Sequence, residues 1–206
     1  DADMALARIP DSVTDAEAVM LPDMLGTAFS GVDKMDFKYG DTIVVLGIGP
    51  VGLMGVAGVQ LKGAGRIIAV GHRENTKILA REYGATDIVD YHDGDVYEQI
   101  MKLTSGQPVD GVLVCSGGTM KSQINLALKL VKWGGTVVNV SGFFDDEVCE
   151  IDNSLLYYGV NDKTISTVLV EDGREIMERY LKLLEYKRVD TSKITNPVLH
   201  GWDSLE

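Results

Sequence analysis

One hexapeptide constrains the fold of this chain more than any other feature, namely Gly47-Ile48-Gly49-Pro50-Val51-Gly52. It follows an apolar, β-branched run at 42–46 that predicts a buried strand, and it precedes an apolar run at 53–61 that predicts a helix. A strand, a glycine-rich turn and a helix in this order are the context in which G-x-G-x-x-G indicates dinucleotide binding. The alternative is a glycine-rich turn that packs a helix on a strand without any ligand.

Each glycine of the hexapeptide has a separate physical role if it binds a dinucleotide. Gly47 lets the chain turn sharply out of the strand, Gly49 lets a pyrophosphate approach the backbone, and Gly52 lets the helix lie close to the sheet. Pro50 suits the first helical turn, where its missing N–H is no loss. The N–H groups of that turn, which includes Val51, are then expected to hold the anionic pyrophosphate.

The end of the second predicted strand, 66–70, indicates which dinucleotide binds. A site for NAD usually places Asp or Glu there to hydrogen-bond the adenosine ribose, but this chain has Gly71, His72 and Arg73 instead. An acid would repel a 2′-phosphate, whereas a guanidinium binds one, so the sequence favours NADP over NAD. Gly71 is expected to leave room for the phosphate. Arg73 has the alternative interpretation of a solvated residue that opens the next helix, and His72 either contacts the phosphate or faces water.

Composition narrows the class of protein and its possible partners. The 206 residues carry a formal net charge of −12 with a pI near 4.6, which argues against a nucleic acid or an anionic membrane as partner. No apolar stretch is long enough to span a membrane. Cys115 and Cys149 have no metal-ligand spacing and are typical of reduced, cytoplasmic thiols, Cys115 most simply as a core residue. The chain starts at Asp1 rather than Met, and both ends look cut from a longer protein.

Predicted strands and helices alternate along the chain. Strands are predicted at 42–47, 66–70, 87–89, 111–115, 136–140 and about 164–170, and helices at about 50–62, 74–83, 96–103, 120–132 and 173–187. Thr14-Asp15-Ala16-Glu17 predicts a capping box that opens a short helix, and 22–32 predicts a second helical stretch. Six strands alternating with helices predict an α/β fold with a doubly wound parallel sheet, whose ligand lies at the carboxyl ends of the strands.

Several motifs together resemble the zinc-containing medium-chain alcohol dehydrogenases, and most closely their NADP-dependent secondary alcohol dehydrogenases. The resemblance covers almost the whole chain. The stretches that carry it are Asp1-Ala2-Asp3-Met4, Leu21-Pro22-Asp23-Met24, Val45 to Met54, Gly63 to Gly71, Tyr83 to Val89, Asp162 to Ile165 and Tyr186 to Asp190.

The resemblance implies a Rossmann domain for the cofactor and a GroES-like catalytic domain of which only remnants are present at the termini. It implies a linker or edge of the catalytic domain at 1–30 and an NADP-binding domain at 31–206. It also implies that Asp23 is a catalytic zinc ligand, whereas the residues alone favour a helix cap or first-turn acid. The Cys and His that would complete the zinc site have no counterpart here, so no zinc is expected on this chain alone.

The resemblance further implies the neighbours of the nicotinamide and of the adenosine phosphate. Met24 and Thr27 match positions near the substrate and zinc. Val140 and Ser141 follow the strand under the nicotinamide, Gly117 lets the cofactor lie close to the backbone, and Tyr91 could assist Arg73.

The expected reaction of the intact protein is hydride transfer between NADP(H) and a secondary alcohol or ketone, assisted by zinc, in a homo-oligomer that is a tetramer by resemblance. The chain alone is expected to bind NADP(H) without turning over substrate. Two alternatives are a zinc-independent quinone or enone reductase of the same superfamily and a non-catalytic nucleotide-binding module.

Overall fold

A six-stranded parallel sheet organises the central part of the chain. The computed structural model describes residues 2–117, 119–142, 148–171 and 173–195. The strands are β1 (Thr42–Leu46), β2 (Arg66–Val70), β3 (Asp87–Val89), β4 (Val109–Val114), β5 (Val131–Asn139) and β6 (Thr164–Thr167). They lie side by side in the order β3-β2-β1-β4-β5-β6, and every neighbouring pair is parallel. The predicted doubly wound six-stranded sheet is therefore confirmed.

Helices alternate with the strands of the sheet within residues 27–170, and further helices lie in the stretches before and after it. In chain order they are α1 (Ala2–Ala5), α2 (Asp15–Ala18), α3 (Gly26–Lys34), α4 (Pro50–Leu61), α5 (Glu74–Glu82), α6 (Val96–Leu103), α7 (Met120–Leu130) and α8 (Arg174–Glu185). A π-helical turn, Leu21–Leu25, precedes α3, and 3₁₀ turns lie at Asn153–Gly159 and Ser192–Ile194. No helix among the described residues combines the length and apolar character that crossing a membrane requires.

The central strands are apolar on both faces because helices cover both sides of the sheet. β1 and β2 are buried at every position except the first, and α4 packs on both of them. α7 packs on β4 and β5, while α5 and α6 pack on β3. α4 is apolar around most of its circumference and is buried from Gly52 to Val59, which identifies it as a central element.

Several strand boundaries differ from the predicted ones, and those of β5 and β4 bear on the site. β5 begins at Val131 rather than at 136, because Val131 pairs with Val109 before residues 132–135 bulge out and the ladder resumes at Thr136. Gly134 has a φ of 71°, a left-handed conformation that suits glycine, so the Gly-Gly pair marks a bulge inside a strand. β4 ends at Val114, which places Cys115 just beyond the strand.

The described residues form two compact units: residues 27–170 are one, and the stretches before 27 and after 170 combine in the other. The capping box predicted for the second unit is present, since Thr14 Oγ1 accepts from the Glu17 N–H (3.2 Å) and Glu17 Oε2 accepts from the Thr14 N–H (2.9 Å). Lys187 Nζ also donates to Glu17 Oε1 (2.9 Å), and Thr191 Oγ1 donates to the Glu17 carbonyl (2.7 Å). These two bonds hold α2 to the chain beyond α8. The bond from the Thr14 N–H, with that from Lys187, lowers the pKa of Glu17.

Candidate functional site

A cavity of about 640 Å³ lies at the carboxyl ends of β1, β2 and β4, within the unit of residues 27–170. The predicted cofactor-binding residues that line it are Gly47, Gly49, Gly71, His72, Arg73, Tyr91 and Gly117. Residues that line it but were not predicted as binding residues include Ile48, Thr76, Val96, Cys115, Ser116, Gln123 and Leu126. β1 and β4 are neighbours at the point where the strand order reverses, which is where open α/β sheets bind their ligands.

The turn from β1 into α4 can only be built with glycine at two of its positions. Gly47 has a φ of 90°, its N–H donates to the Val70 carbonyl (3.0 Å), and a Cβ there would lie 2.7 Å from Ser116 Cα. A Cβ on Gly52 would lie 1.8 Å from the Gly47 carbonyl oxygen. Gly52 therefore brings the start of the helix against the backbone of the turn, not against side chains of the sheet alone.

Gly49 differs from these two glycines because the space around it is open. It is the N-cap residue of α4 with φ −72° and ψ −173°, and among the described residues no atom beyond its chain neighbours lies within 4 Å of the position that its Cβ would take. Pro50 occupies the first helical turn, and the Leu53 N–H donates to the Gly49 carbonyl (2.8 Å). The N–H groups of Val51 and Gly52 belong to the turn whose donors have no acceptor within the helix. Open space at the positive end of a helix fits an anionic pyrophosphate.

Gly71 has a packing role besides the one expected of it. A Cβ at this position would lie 2.2 Å from Ile48 Cγ1, and the Gly71 N–H donates to the Val89 carbonyl (3.0 Å). Glycine is therefore required here by the packing of Ile48 of the glycine-rich turn. Gly71 also lines the cavity, and that it leaves room for a phosphate stays a prediction. No local pattern of residues encodes the contact with Ile48, because it depends on how closely the first turn approaches the end of β2.

The residues that follow Gly71 give this end of the cavity a positive charge. Arg73 is exposed and is the N-cap residue of α5, where its side chain makes no capping bond, and Thr76 Oγ1 donates to its carbonyl (3.0 Å). No Asp or Glu is found among the described residues that line the cavity. A site free of acids in a chain with a net charge of −12 is suited to an anionic ligand.

The segment after β4 contributes the opposite wall of the cavity. The Cys115 N–H donates to the Leu46 carbonyl (2.8 Å), and Ser116 Oγ donates to Gln123 Oε1 (2.7 Å). Burial raises the pKa of the Cys115 thiol to about 12, so it is a neutral apolar group at physiological pH. Gly117 lines the cavity, and no atom lies within 4 Å of its Cβ position. Ser116 and Gln123 could not be predicted from the sequence, because they belong to no motif and the hydrogen bond that joins them spans seven chain positions.

Val140 and Ser141 follow β5 and do not line the cavity. The Val140 N–H donates to the Val114 carbonyl (3.0 Å), and its Cγ1 lies 2.5 Å from the position of a Cβ on Gly31 of α3. Asn139 holds Ser141 by accepting from its N–H (3.2 Å) and donating to its carbonyl (3.0 Å). Both residues therefore have a fixed backbone at the carboxyl ends of β4 and β5.

The remaining predicted residues lie in or beside the π-helical turn Leu21–Leu25. Met20 caps this turn, and Asp23 lies in its first turn, so the acid is not the cap residue. Met24 follows Asp23, and Thr27 is the second residue of α3. Within the described part of the chain, no three His, Cys, Asp or Glu side chains group to hold a metal ion.

The sheet order, the glycine-rich turn at its switch point and the acid-free cavity define a Rossmann-type dinucleotide-binding domain. Comparison with known families matches residues 50–186 to the zinc-binding dehydrogenases. The chain belongs to this family, and the resemblance to the zinc-containing medium-chain alcohol dehydrogenases is confirmed.

Relatives of known name agree with this assignment. The chain is 47% identical over all 206 residues to the NADP-dependent isopropanol dehydrogenase of Thermoanaerobacter brockii, of which it covers 58%. It is 41% identical over 206 residues to the enzyme of the same name from Entamoeba histolytica, of which it covers 55%. The chain thus spans little more than half the length of these relatives.

Solved structures show the same fold. Alcohol dehydrogenase TADH from Thermus sp. ATN1 superposes with a TM-score of 0.77 at 25% identity, over 90% of this chain and 52% of that one. A zinc-binding dehydrogenase from Sinorhizobium meliloti, bound to NADP, superposes with a TM-score of 0.76 at 25% identity, over 94% of this chain and 59% of that one.

Proposed function

We propose that this chain binds NADP(H) and is the coenzyme domain of an oxidoreductase that interconverts secondary alcohols and ketones. The observation that carries the coenzyme assignment is Arg73, which lines an acid-free cavity where an NAD site would have Asp or Glu after β2. The names of the two relatives, NADP-dependent isopropanol dehydrogenases, support both the coenzyme and the substrate class.

The residues of this chain bind and orient the coenzyme. The start of α4 holds the pyrophosphate over Gly49, and Arg73 with Tyr91 holds the adenosine phosphate. Gly117, Val140 and Ser141 flank the nicotinamide end of the site. When bound, the coenzyme supplies or accepts a hydride, so the task of the protein is to fix its position relative to the substrate.

The zinc-dependent part of the reaction belongs to the intact protein. We propose that Asp23 supplies one zinc ligand, with Met24 and Thr27 near the substrate, and that ligands outside these 206 residues complete the site. In this proposal residues 1–30 lead from a catalytic domain into the NADP-binding domain of 31–206. The match to the zinc-binding dehydrogenase family supports it, and metal analysis of the intact protein distinguishes it from a zinc-independent quinone or enone reductase.

We also propose a cytoplasmic homo-oligomer, tetrameric by resemblance, without nucleic-acid or membrane partners. The net charge of −12 supports the absence of such partners, and Cys115 and Cys149, which form no disulfide within the described residues, support the location. β6 ends the sheet and pairs only with β5 within the described residues, so its other edge offers hydrogen bonds to a second copy. Light scattering of the intact protein measures the subunit number.

Parallel titrations with NADPH and NADH test the coenzyme assignment. We expect tighter binding of NADPH, and we expect Arg73→Ala to weaken NADPH binding by about tenfold to a hundredfold, because a charge-assisted hydrogen bond contributes about 1.5–3 kcal/mol. NADH binding should change less than about twofold, since it lacks the phosphate. Arg81→Ala is the matched control, because Arg81 is an exposed arginine at the other end of α5.

Two outcomes would contradict the proposal. Equal affinities for NADPH and NADH would reject the phosphorylated coenzyme. A loss of NADPH binding in Arg81→Ala that equals the loss in Arg73→Ala would show that net charge, and not a contact at the end of β2, decides the preference.

A further inference from the structure

Three rings contact one another near the proposed adenosine end of the site, and two of them, His72 and Tyr91, line the cavity. His72 follows β2, and Tyr91 and His92 follow β3, which is the neighbouring strand. The ring centroids of His72 and His92 are 4.5 Å apart, and Tyr91 lies 5.1 Å from His72 and 4.7 Å from His92. His72 and Tyr91 are predicted site residues and His92 is not; the parallel pairing of β2 with β3 brings His92 close to His72.

The backbone that carries Tyr91 and His92 is fixed by Asp90. Its carboxylate accepts from Lys77 Nζ of α5 (2.5 Å) and from the His92 N–H (2.9 Å), and its carbonyl accepts from the Gln99 amide of α6 (2.8 Å). The hydrogen bond from Lys77 holds the pKa of Asp90 below its ordinary value, so this acid stays ionised. The rings are thus presented by a loop that is tied to both neighbouring helices.

The charged groups around the two imidazoles belong to three elements. On the β2 side, Arg73 lines the cavity with His72 and Tyr91. In α5, which follows, Lys77 Nζ lies 3.5 Å from Glu74 Oε2. On the β3 side, the carboxylate of Asp90 is engaged by Lys77, and Asp95 caps α6 by accepting from the Glu98 N–H. Asp93 lies between them in the exposed loop.

We propose that His72 and His92 act as a proton-linked clamp for the 2′-phosphate, so that NADP(H) binding takes up protons and strengthens as pH falls from about 8 to about 6. The inference rests on the proposed NADP(H) site. Imidazole is the side chain whose charge changes in this pH range. Two imidazolium rings at 4.5 Å repel each other, and a dianion beside them and Arg73 removes that penalty. By linkage, the ligand that stabilises the protonated pair binds more tightly where protons are abundant.

Net proton uptake on binding NADPH distinguishes this clamp from ordinary phosphate binding, in which protons are released. A phosphate monoester has its second pKa near about 6, and a cationic site favours the dianion, so the phosphate itself releases protons on binding. Imidazoles that become charged take protons up. At about pH 7.5 the phosphate is almost fully dianionic, so net uptake there reports the histidines.

Calorimetric titration of the chain at about pH 7.5 in HEPES and in Tris measures the proton count, because the two buffers differ in ionisation enthalpy. We expect proton uptake with NADPH and none with NADH. Between about pH 6 and pH 8 the dissociation constant of NADPH should rise by up to about tenfold, the product of about threefold for each imidazole, less the opposing effect of the phosphate's own protonation near pH 6. The double variant His72→Gln, His92→Gln should lose both the uptake and most of the pH dependence, whereas Lys38→Gln, which removes an exposed cation elsewhere, should keep them.

The possible failures have different meanings. Preferred binding of NADPH without proton uptake would overturn the clamp and leave the coenzyme assignment intact. Uptake that persists unchanged in the folded double variant would place the protons on other groups and also overturn it. Equal binding of NADPH and NADH by the parent chain would reject the coenzyme assignment itself. The measurement on the parent chain needs no substitution, so a misfolded variant does not remove the test.

Discussion

Replacing Gly52 with alanine tests whether the glycine-rich turn and α4 are locked together by backbone contact. The added Cβ would lie 1.8 Å from the Gly47 carbonyl oxygen, and no flexible side chain can move aside to relieve that contact. Either the start of α4 or the turn after β1 must shift. Since the Gly47 N–H also bonds to the Val70 carbonyl, the shift would strain the pairing of β1 with β2.

The size of the effect depends on two opposing contributions. Overpacking costs about 1–3 kcal/mol, and a backbone clash belongs at the upper end of that range. Alanine is favoured over glycine inside a helix by about 1 kcal/mol, which offsets part of the cost. The expected net loss is about 2 kcal/mol in the free energy of unfolding, which for a chain of this size lowers the melting temperature by roughly 4–8 °C.

Gly49→Ala is the matched control, because it makes the same chemical change earlier in the same turn. Its backbone is in an extended conformation open to alanine, and its Cβ would meet no atom, so we expect a stability loss below about 1 kcal/mol from the poorer N-cap. Its affinity for NADPH should nevertheless fall, since the methyl group occupies the approach of the pyrophosphate. Thermal unfolding by circular dichroism and NADPH titration of both variants give the comparison. An unchanged melting temperature for Gly52→Ala would refute the reasoning.

Two further predictions concern ionisable groups. Asp87 receives hydrogen bonds from Arg66 Nε (2.8 Å) and Nη2 (2.9 Å), which lower its pKa, so Asp87→Asn should cost about 1–2 kcal/mol at about pH 7 in urea unfolding. A carboxyl group whose pKa is lowered on folding stabilises the fold at pH values above its unfolded pKa of 3.8, and this stabilisation is lost as the pH falls below that value. The difference in unfolding free energy between parent and variant should therefore shrink in acid. A difference that stays constant with pH would contradict this account. Cys115, with a pKa of about 12, should react with iodoacetamide at about pH 8 roughly a thousandfold more slowly than a free thiol, as followed by peptide mass spectrometry. Rapid labelling would contradict the raised pKa.

The sheet could be predicted from the sequence because its signals are local. A β-branched run such as 42–46 favours a strand whatever it packs against. The glycine-rich turn that follows this run predicts a helix directly after it. The boundaries of β5 could not be predicted in the same way. Gly134 and Gly135 suggest the end of a helix, yet they lie in a bulge that is defined by the pairing of Val131 with Val109, a contact between distant segments.

The candidate site was predictable only where its residues belong to a motif. Gly49 and Arg73 stand at positions whose meaning comes from the strand–turn–helix pattern, and both line the cavity. Ser116, Gln123 and His92 were not found, because each acquires its place from the pairing of parallel strands or from a side-chain hydrogen bond. No spacing along the chain encodes these contacts.

Gly71 shows why the coenzyme preference and the packing of this fold are connected. An acidic side chain after β2 would need the space that Ile48 now fills, since a Cβ there comes within 2.2 Å of Cγ1. Ile48 belongs to the same turn that Gly47 and Gly52 hold against the backbone. The absence of an acid is therefore required by the closely packed turn as well as suited to a 2′-phosphate. It follows that the attraction for the 2′-phosphate must come from groups beyond Gly71, which are Arg73 and the three rings of His72, Tyr91 and His92.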